Sequence, residues 1–135
     1  MRKLIFILIM LLASFNVQAQ NNVKYYKATE FAYKYVNAYG RWTEWTDWEK
    51  SNVIITIDYS NDLVKINSET PQTYVIVQWV RNYVDESGGQ QIEFRFIDQD
   101  YDRGTMRLRV ERSGNSQIYI DFSNVMWVYN VKLIY

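Results

Sequence analysis

Trp42, Trp45 and Trp48 stand three residues apart in Trp-Thr-Glu-Trp-Thr-Asp-Trp. A flat strand repeats every two residues, so rings spaced by three would alternate faces. The spacing fits instead a bulged or polyproline-like segment that presents one aromatic row. Edged by Glu44 and Asp47, such rings offer stacking surface and hydrogen bonds to a sugar or an amphipathic ligand. The competing reading is structural: the rings plug one end of a barrel or cover its seam, with Trp48, which leads into the strand at Val53, the ring expected to be buried. Glu44, Asp47 and Glu49 beside the row raise two-carboxylate glycoside chemistry, but nothing in the spacing fixes their separation.

A second candidate is Asp98-Gln-Asp100-Tyr-Asp102-Arg-Gly104. Alternating carboxylates in a tight turn can converge their oxygens on a hard cation such as calcium. The pattern departs from an EF-hand, with Arg103 at the sixth position and Arg109 at the twelfth. A solvated acidic hairpin is the competing reading. Arg95, Arg107, Arg109 and Arg112 form a basic stripe on the other face of the same strands, a solvated surface or an anion site.

Composition narrows the chemistry further. The chain has no cysteine and no histidine, so disulfides, imidazole-based catalysis and histidine metal sites are excluded. No catalytic or cofactor signature is present, and no cofactor is expected. The N-terminus reads as a secretory leader over 1–19. Arg2 and Lys3 precede an apolar run from Leu4 to Ala13, and Val17 and Ala19 suit a signal peptidase. Its core is too short to span a bilayer. The expectation is an exported chain, periplasmic or secreted, with a single domain over 20–135 and no membrane span after cleavage. Without Arg2 and Lys3, thirteen of the fifteen basic residues remain against fifteen acidic ones, a charge near −2. That is no footprint for nucleic acid.

The elements that must position these candidates repeat with period 2. Residues 24–37 predict one long strand bent near Thr29. Val53–Tyr59 and Leu63–Ser68 follow, then Thr73–Val84, apolar on both faces. The last four are Gln91–Ile97, Thr105–Arg112, Gln117–Phe122 and Val125–Tyr135. Turn residues suggest registers: Asn61-Asp62 sets Tyr59 across from Val64 and Ile57 across from Ile66. Phe94 meets Leu108 and Phe96 meets Met106, which places Arg95 against Arg107; Val110 meets Ile118. The fold class is all-β, an antiparallel meander of about eight strands closing into a small calycin- or lipocalin-like barrel, with a β-sandwich as the alternative. Ile55, Ile57, Phe94, Phe96, Leu108, Ile120 and Trp127 are the expected core. Outer-membrane barrels share the aromatic-rich last strand, but they need strands of about 9–11 residues, longer than Leu63–Ser68.

The tryptophan row resembles the ladder of thrombospondin type 1 repeats, which also depend on disulfides that this chain lacks. Three stretches carry another resemblance: Gly40-Arg-Trp-Thr-Glu-Trp-Thr-Asp-Trp48, Val64-Lys-Ile-Asn-Ser-Glu-Thr-Pro-Gln72 and Asp121-Phe-Ser-Asn-Val-Met-Trp-Val-Tyr-Asn130. With these the chain resembles small exported β-rich proteins of unknown function from Gram-negative gut anaerobes, over most of residues 25–134. The resemblance implies export and an all-β domain and no activity. The function expected is non-catalytic binding of a small apolar molecule, a sugar or a protein partner. A structural module with a filled core and a carboxylate-based glycan-active enzyme are the alternatives.

Overall fold

The period-2 segments become strands throughout the computed structural model, which describes residues 22–113 and 115–134; the leader expected over 1–19 lies outside them. In chain order these are β1 (Val23–Tyr35), β2 (Glu49–Lys50), β3 (Ile54–Asp58), β4 (Leu63–Asn67), β5 (Gln72–Val84), β6 (Gln90–Asp98), β7 (Arg103–Val110), β8 (Ser116–Asp121) and β9 (Val125–Leu133). Each strand pairs antiparallel with its neighbour, and β9 closes on β1. Eight strands therefore make a closed barrel, and the two-residue β2 is an extra strand against Glu30 and Phe31 of β1. Closure removes the free edges that an open sheet of this apolarity would present. No helix among the described residues is long and apolar enough to cross a membrane.

Alternation decides what lies inside. Ile55, Ile57, Phe94, Phe96, Leu108 and Ile120 are all buried, as their phase requires, together with Met106 and Ile118. Full burial of each such side chain is worth about 1.5–3 kcal/mol, so this filled middle is the main source of stability. Trp127 departs from the expectation: it is only partly buried, packed against the edge of the core.

Three hairpin registers differ from the sequence-based ones, each by two residues. Ile57 faces Val64 and Ile55 faces Ile66. Phe94 faces Met106 and Phe96 faces Gly104. Leu108 faces Ile118, and Val110 faces Ser116. Parity survives because an odd shift would turn every apolar side chain outward. The even shift comes from turn chemistry. At the β3–β4 turn, for instance, the Asp58 carboxylate accepts the N–H groups of Ser60 (3.2 Å) and Asn61 (3.1 Å), and Asp62 takes φ 53°. The loop therefore runs from 59 to 62 instead of being a two-residue Asn-Asp turn. Arg95 consequently faces Thr105 and not Arg107, and the like-charge pair does not form.

Two irregularities shape the barrel ends. The bend in β1 is a bulge: β1 pairs with β9 through Ala28–Val131 and then Glu30–Asn130, leaving Thr29 as the extra residue. Its hydroxyl donates to the Asn130 carbonyl at 3.3 Å. The inward phase of β1 thus passes from Tyr26 and Ala28 to Phe31, Tyr33 and Tyr35. In β5, the register shifts at Val77 and Val80 against β6. β4 pairs with β5 only as far as Val75, and the Ile76 N–H bonds the Asp62 carbonyl at 2.8 Å. Trp79 fills the step, stacked on Tyr59 at 5.6 Å and donating its indole N–H to Asp62 at 3.3 Å.

Candidate functional site

The tryptophan spacing has a concrete origin in the strap that returns along β1 from Trp42 to Trp48. Thr43 donates its N–H to the Tyr35 carbonyl at 2.8 Å, and its hydroxyl accepts the Tyr35 N–H at 3.1 Å. Thr46 does the same to Tyr33, at 2.9 and 3.0 Å. Each threonine clasps one β1 residue with backbone and side chain, so three strap residues span two of β1. A bulged or polyproline-like segment was the expectation, and this pairing is the bulged form.

Trp42, Trp45 and Trp48 remain 41%, 38% and 45% exposed, enough for all three to meet a ligand. Trp42 and Trp45 belong together: the outward-facing Lys34 ammonium sits 5.5 Å from one ring centroid and 4.9 Å from the other. Trp45 reaches over β1 and β9 to meet Tyr119 edge-on at 6.5 Å. Ala32 and Val128, the outward-facing pair between them, are buried on an otherwise solvated face. The ring that packs is therefore Trp45. Trp48, expected to be the structural one, is the most exposed of the three. Glu44 and Asp47 are both exposed. The arginine stripe is partly consumed, since Arg107 lies over the Tyr119 ring at 4.3 Å and pairs with Asp121 at 2.7 Å.

The Asp98 loop has a different use for its acids. Asp98 Oδ1 accepts the N–H groups of Asp100 (2.9 Å) and Asp102 (2.8 Å), closing a three-residue hairpin loop. The same device recurs at Asp85, which accepts from Ser87 (3.0 Å) and Gly89 (2.9 Å), and at Asn37, which accepts from Tyr39 (3.0 Å) and Arg41 (3.1 Å). Because asparagine serves equally, the position calls for a side-chain acceptor and not for a charge. Asp98, Asp100 and Asp102 do not converge as ligands: among the described residues no three acids gather around a metal position.

The better-formed site was missed by the sequence reasoning. Beyond the Thr29 bulge, β1 turns Phe31, Tyr33 and Tyr35 inward, opposite Tyr129, Trp127 and Val125 of β9. The β1–β9 pair overhangs the barrel end, and these six side chains with Gln72 line a cleft of about 450 Å³. Phe31 and Tyr129 lie 6.1 Å apart. Trp127 is braced through Phe122, at 6.1 Å, to Phe96 in the core. Burial raises the Tyr129 phenol above its ordinary pKa, so its hydroxyl stays protonated. Gln72 accepts the Tyr74 hydroxyl at 2.5 Å through its carbonyl oxygen, leaving its amide N–H groups as donors. An adjoining hollow of about 230 Å³ shares Gln72 and Trp127 and is edged by Asp98 and Asp100. The available signal was the aromatic alternation at the end of a strand far longer than β3 and β4. Comparison of the chain with protein-family models, with curated proteins and with solved structures yields no match, so the chemistry of this site is argued from its own residues.

Proposed function

We propose that this protein is an exported, non-catalytic binding module that holds a neutral saccharide in the cleft between the ends of β1 and β9. One observation carries the reading: the bulge at Thr29 brings three aromatic side chains of β1 inward against Val125, Trp127 and Tyr129 of β9. Rings present flat apolar surface to the C–H face of a sugar. The hydroxyls of Tyr33, Tyr35 and Tyr129 and the amide of Gln72 supply the polar edge. Among the described residues no charged side chain lines the cleft, and Asp98 and Asp100 in the adjoining hollow disfavour an anionic ligand. The same lining offers no carboxylate pair for glycoside hydrolysis.

The test is a titration of the protein lacking residues 1–19 with neutral tetrasaccharides of glucose, xylose and mannose, followed by calorimetry. At least one should bind, Trp127→Ala should abolish binding, and Trp42→Ala should leave it intact. Loss in Trp42→Ala with retention in Trp127→Ala would move the site to the outer strap, and no binding by any of the three sugars would overturn the saccharide reading. Export is checked separately, by mass spectrometry of the mature N-terminus, expected at Gln20 or a neighbour.

A further inference from the structure

We propose that the opposite end of the barrel is a second, independent binding site, for a small amphipathic monocarboxylate. The end where β1 starts contains a cleft of about 460 Å³, within the range of small-molecule sites. Its floor is apolar, built from Ile92, Leu108 and Val110, with the exposed Leu133 at the edge. Lys24 stands at the rim, two residues before the buried Tyr26 and in the same inward phase of β1.

A half-buried lysine at an inward strand position above an apolar floor brings a cation to the mouth of the cleft, with its stem on the apolar wall. Among the described residues it has no ion-pair partner. The ion pairs among the described residues are Arg81–Glu93 and Arg107–Asp121, and none of the described residues lining this cleft carries a carboxylate. The neighbouring polar groups add donors. Gln90 donates its amide N–H to Asn82 Oδ1 at 3.0 Å, so the Asn82 oxygen is engaged while its own N–H groups remain. Tyr26 and Tyr59 satisfy each other by a hydrogen bond, and burial raises both phenols, so neither supplies an anion. One cation, a free amide donor and an apolar floor match a ligand with one carboxylate and a short alkyl tail. The headgroup would meet Lys24 and Asn82, and the tail would lie against Leu108 and Ile92.

Decanoate is the probe, used below its micellar concentration, with decanol as the uncharged control, both by calorimetry on the chain lacking residues 1–19. Decanoate should bind, and Lys24→Met should weaken it tenfold or more while leaving decanol unchanged, which also shows that the variant is folded. Lys24→Arg should restore decanoate binding, and added salt should weaken it in the wild type. Methyl resonances of Ile92, Leu108 and Val110 should shift with decanoate, in Trp127→Ala as in the wild type. Equal decanoate affinity in Lys24→Met, shifts confined to the Trp127 end, or no binding at all would each overturn the proposal. Because Trp127→Ala removes the saccharide cleft and spares this one, failure here is distinguishable from failure of the saccharide reading.

Discussion

Where β1 begins, the barrel turns inward Lys24, Asn82, Gln90 and Ser116; where β1 ends, it turns inward Phe31, Tyr33, Tyr35, Trp127 and Tyr129. The same strand, β1, runs through both ends, and its sequence is aromatic at both. Tyr25 and Tyr26 stand near its start, and only one of them, Tyr26, is buried. What separates the ends is the extra residue at Thr29. Without it, the pleat would carry Phe31, Tyr33 and Tyr35 to the outer face and leave Ala32 and Lys34 inside. The lesson is that a bulge can allocate one strand's side chains to two differently built sites, with a packed middle between them.

That middle is where the comparison breaks most easily. Phe94 is fully buried and touches Trp79 at 5.1 Å, between the two clefts. Phe94→Ala should cost about 3–5 kcal/mol through lost burial and the void left behind. Urea unfolding measures it, and a loss below about 1 kcal/mol would mean that the centre collapses freely and does not hold the ends apart.

A more local break is available near the aromatic end. A Cβ built on Gly104 would come within 2.5 Å of the Phe96 ring and 2.6 Å of the Asp121 carbonyl oxygen. The ring is itself wedged between Tyr74 at 4.8 Å and Phe122 at 5.3 Å, and the carbonyl belongs to the backbone of β8, so neither yields cheaply. Gly104→Ala should cost about 1–3 kcal/mol as overpacking. It should also disturb saccharide binding through the Phe96–Phe122–Trp127 chain while leaving decanoate binding unchanged. Equal effects on both ligands would show that the two ends are not independent.

The sequence made the phase of nearly every strand readable, because Ile55 and Ile57, Phe94 and Phe96, and Met106 and Leu108 alternate with polar residues. It also made the bend at Thr29 and the bulged character of the tryptophan strap readable. It did not make the registers readable, since an even shift preserves every apolar contact and is decided by which side chain captures the turn's N–H groups. Asp58 does so at the β3–β4 turn. Nor did it separate the exposed Trp48 from the packed Trp45, a difference set by where the strap crosses Ala32 and Val128. The aromatic cleft escaped notice because it depends on relative strand length. β1 has thirteen residues and β3 five, and the overhang exists only once their starting points are fixed in space.

Relief of a strained turn gives a smaller effect, of opposite sign. Tyr101 has φ 64° in the position that Gly40 (φ 74°) and Gly88 (φ 85°) occupy in the two equivalent loops. It is 87% exposed, so no burial compensates the left-handed backbone. Removing a penalty of about 1–2 kcal/mol, offset by the greater freedom of glycine in the unfolded chain, Tyr101→Gly should stabilise the protein by about 0.5–1 kcal/mol. No gain in the urea midpoint would mean that the loop relaxes around the tyrosine, and the equivalence of the three turns would fail.

The smallest effect lies in how the two ends respond to acid. At the Lys24 end, Asp85 accepts from Ser87, Gln91 and Gly89, and these hydrogen bonds hold its carboxyl at about 2. Asp58 at the neighbouring turn is also lowered, chiefly by the Asn61 side chain. A carboxyl whose folded pKa lies below its unfolded value stabilises the fold above that unfolded value. The contribution therefore is complete at neutral pH and fades as pH falls from about 4 through about 2. Of the two equivalent turns at the aromatic end, Asp98 and Asn37, the one at Asn37 carries the same hydrogen bonds without a titrating group. Asp85→Asn should thus leave the urea midpoint at pH 7 nearly unchanged, because asparagine already serves in this turn, and should flatten the midpoint's decline below pH 4. Asn37→Asp should do the reverse and steepen it. If both variants follow the wild-type acid curve, the turn carboxylates are solvated well enough to carry no linkage, and the acid response of the two ends is the same.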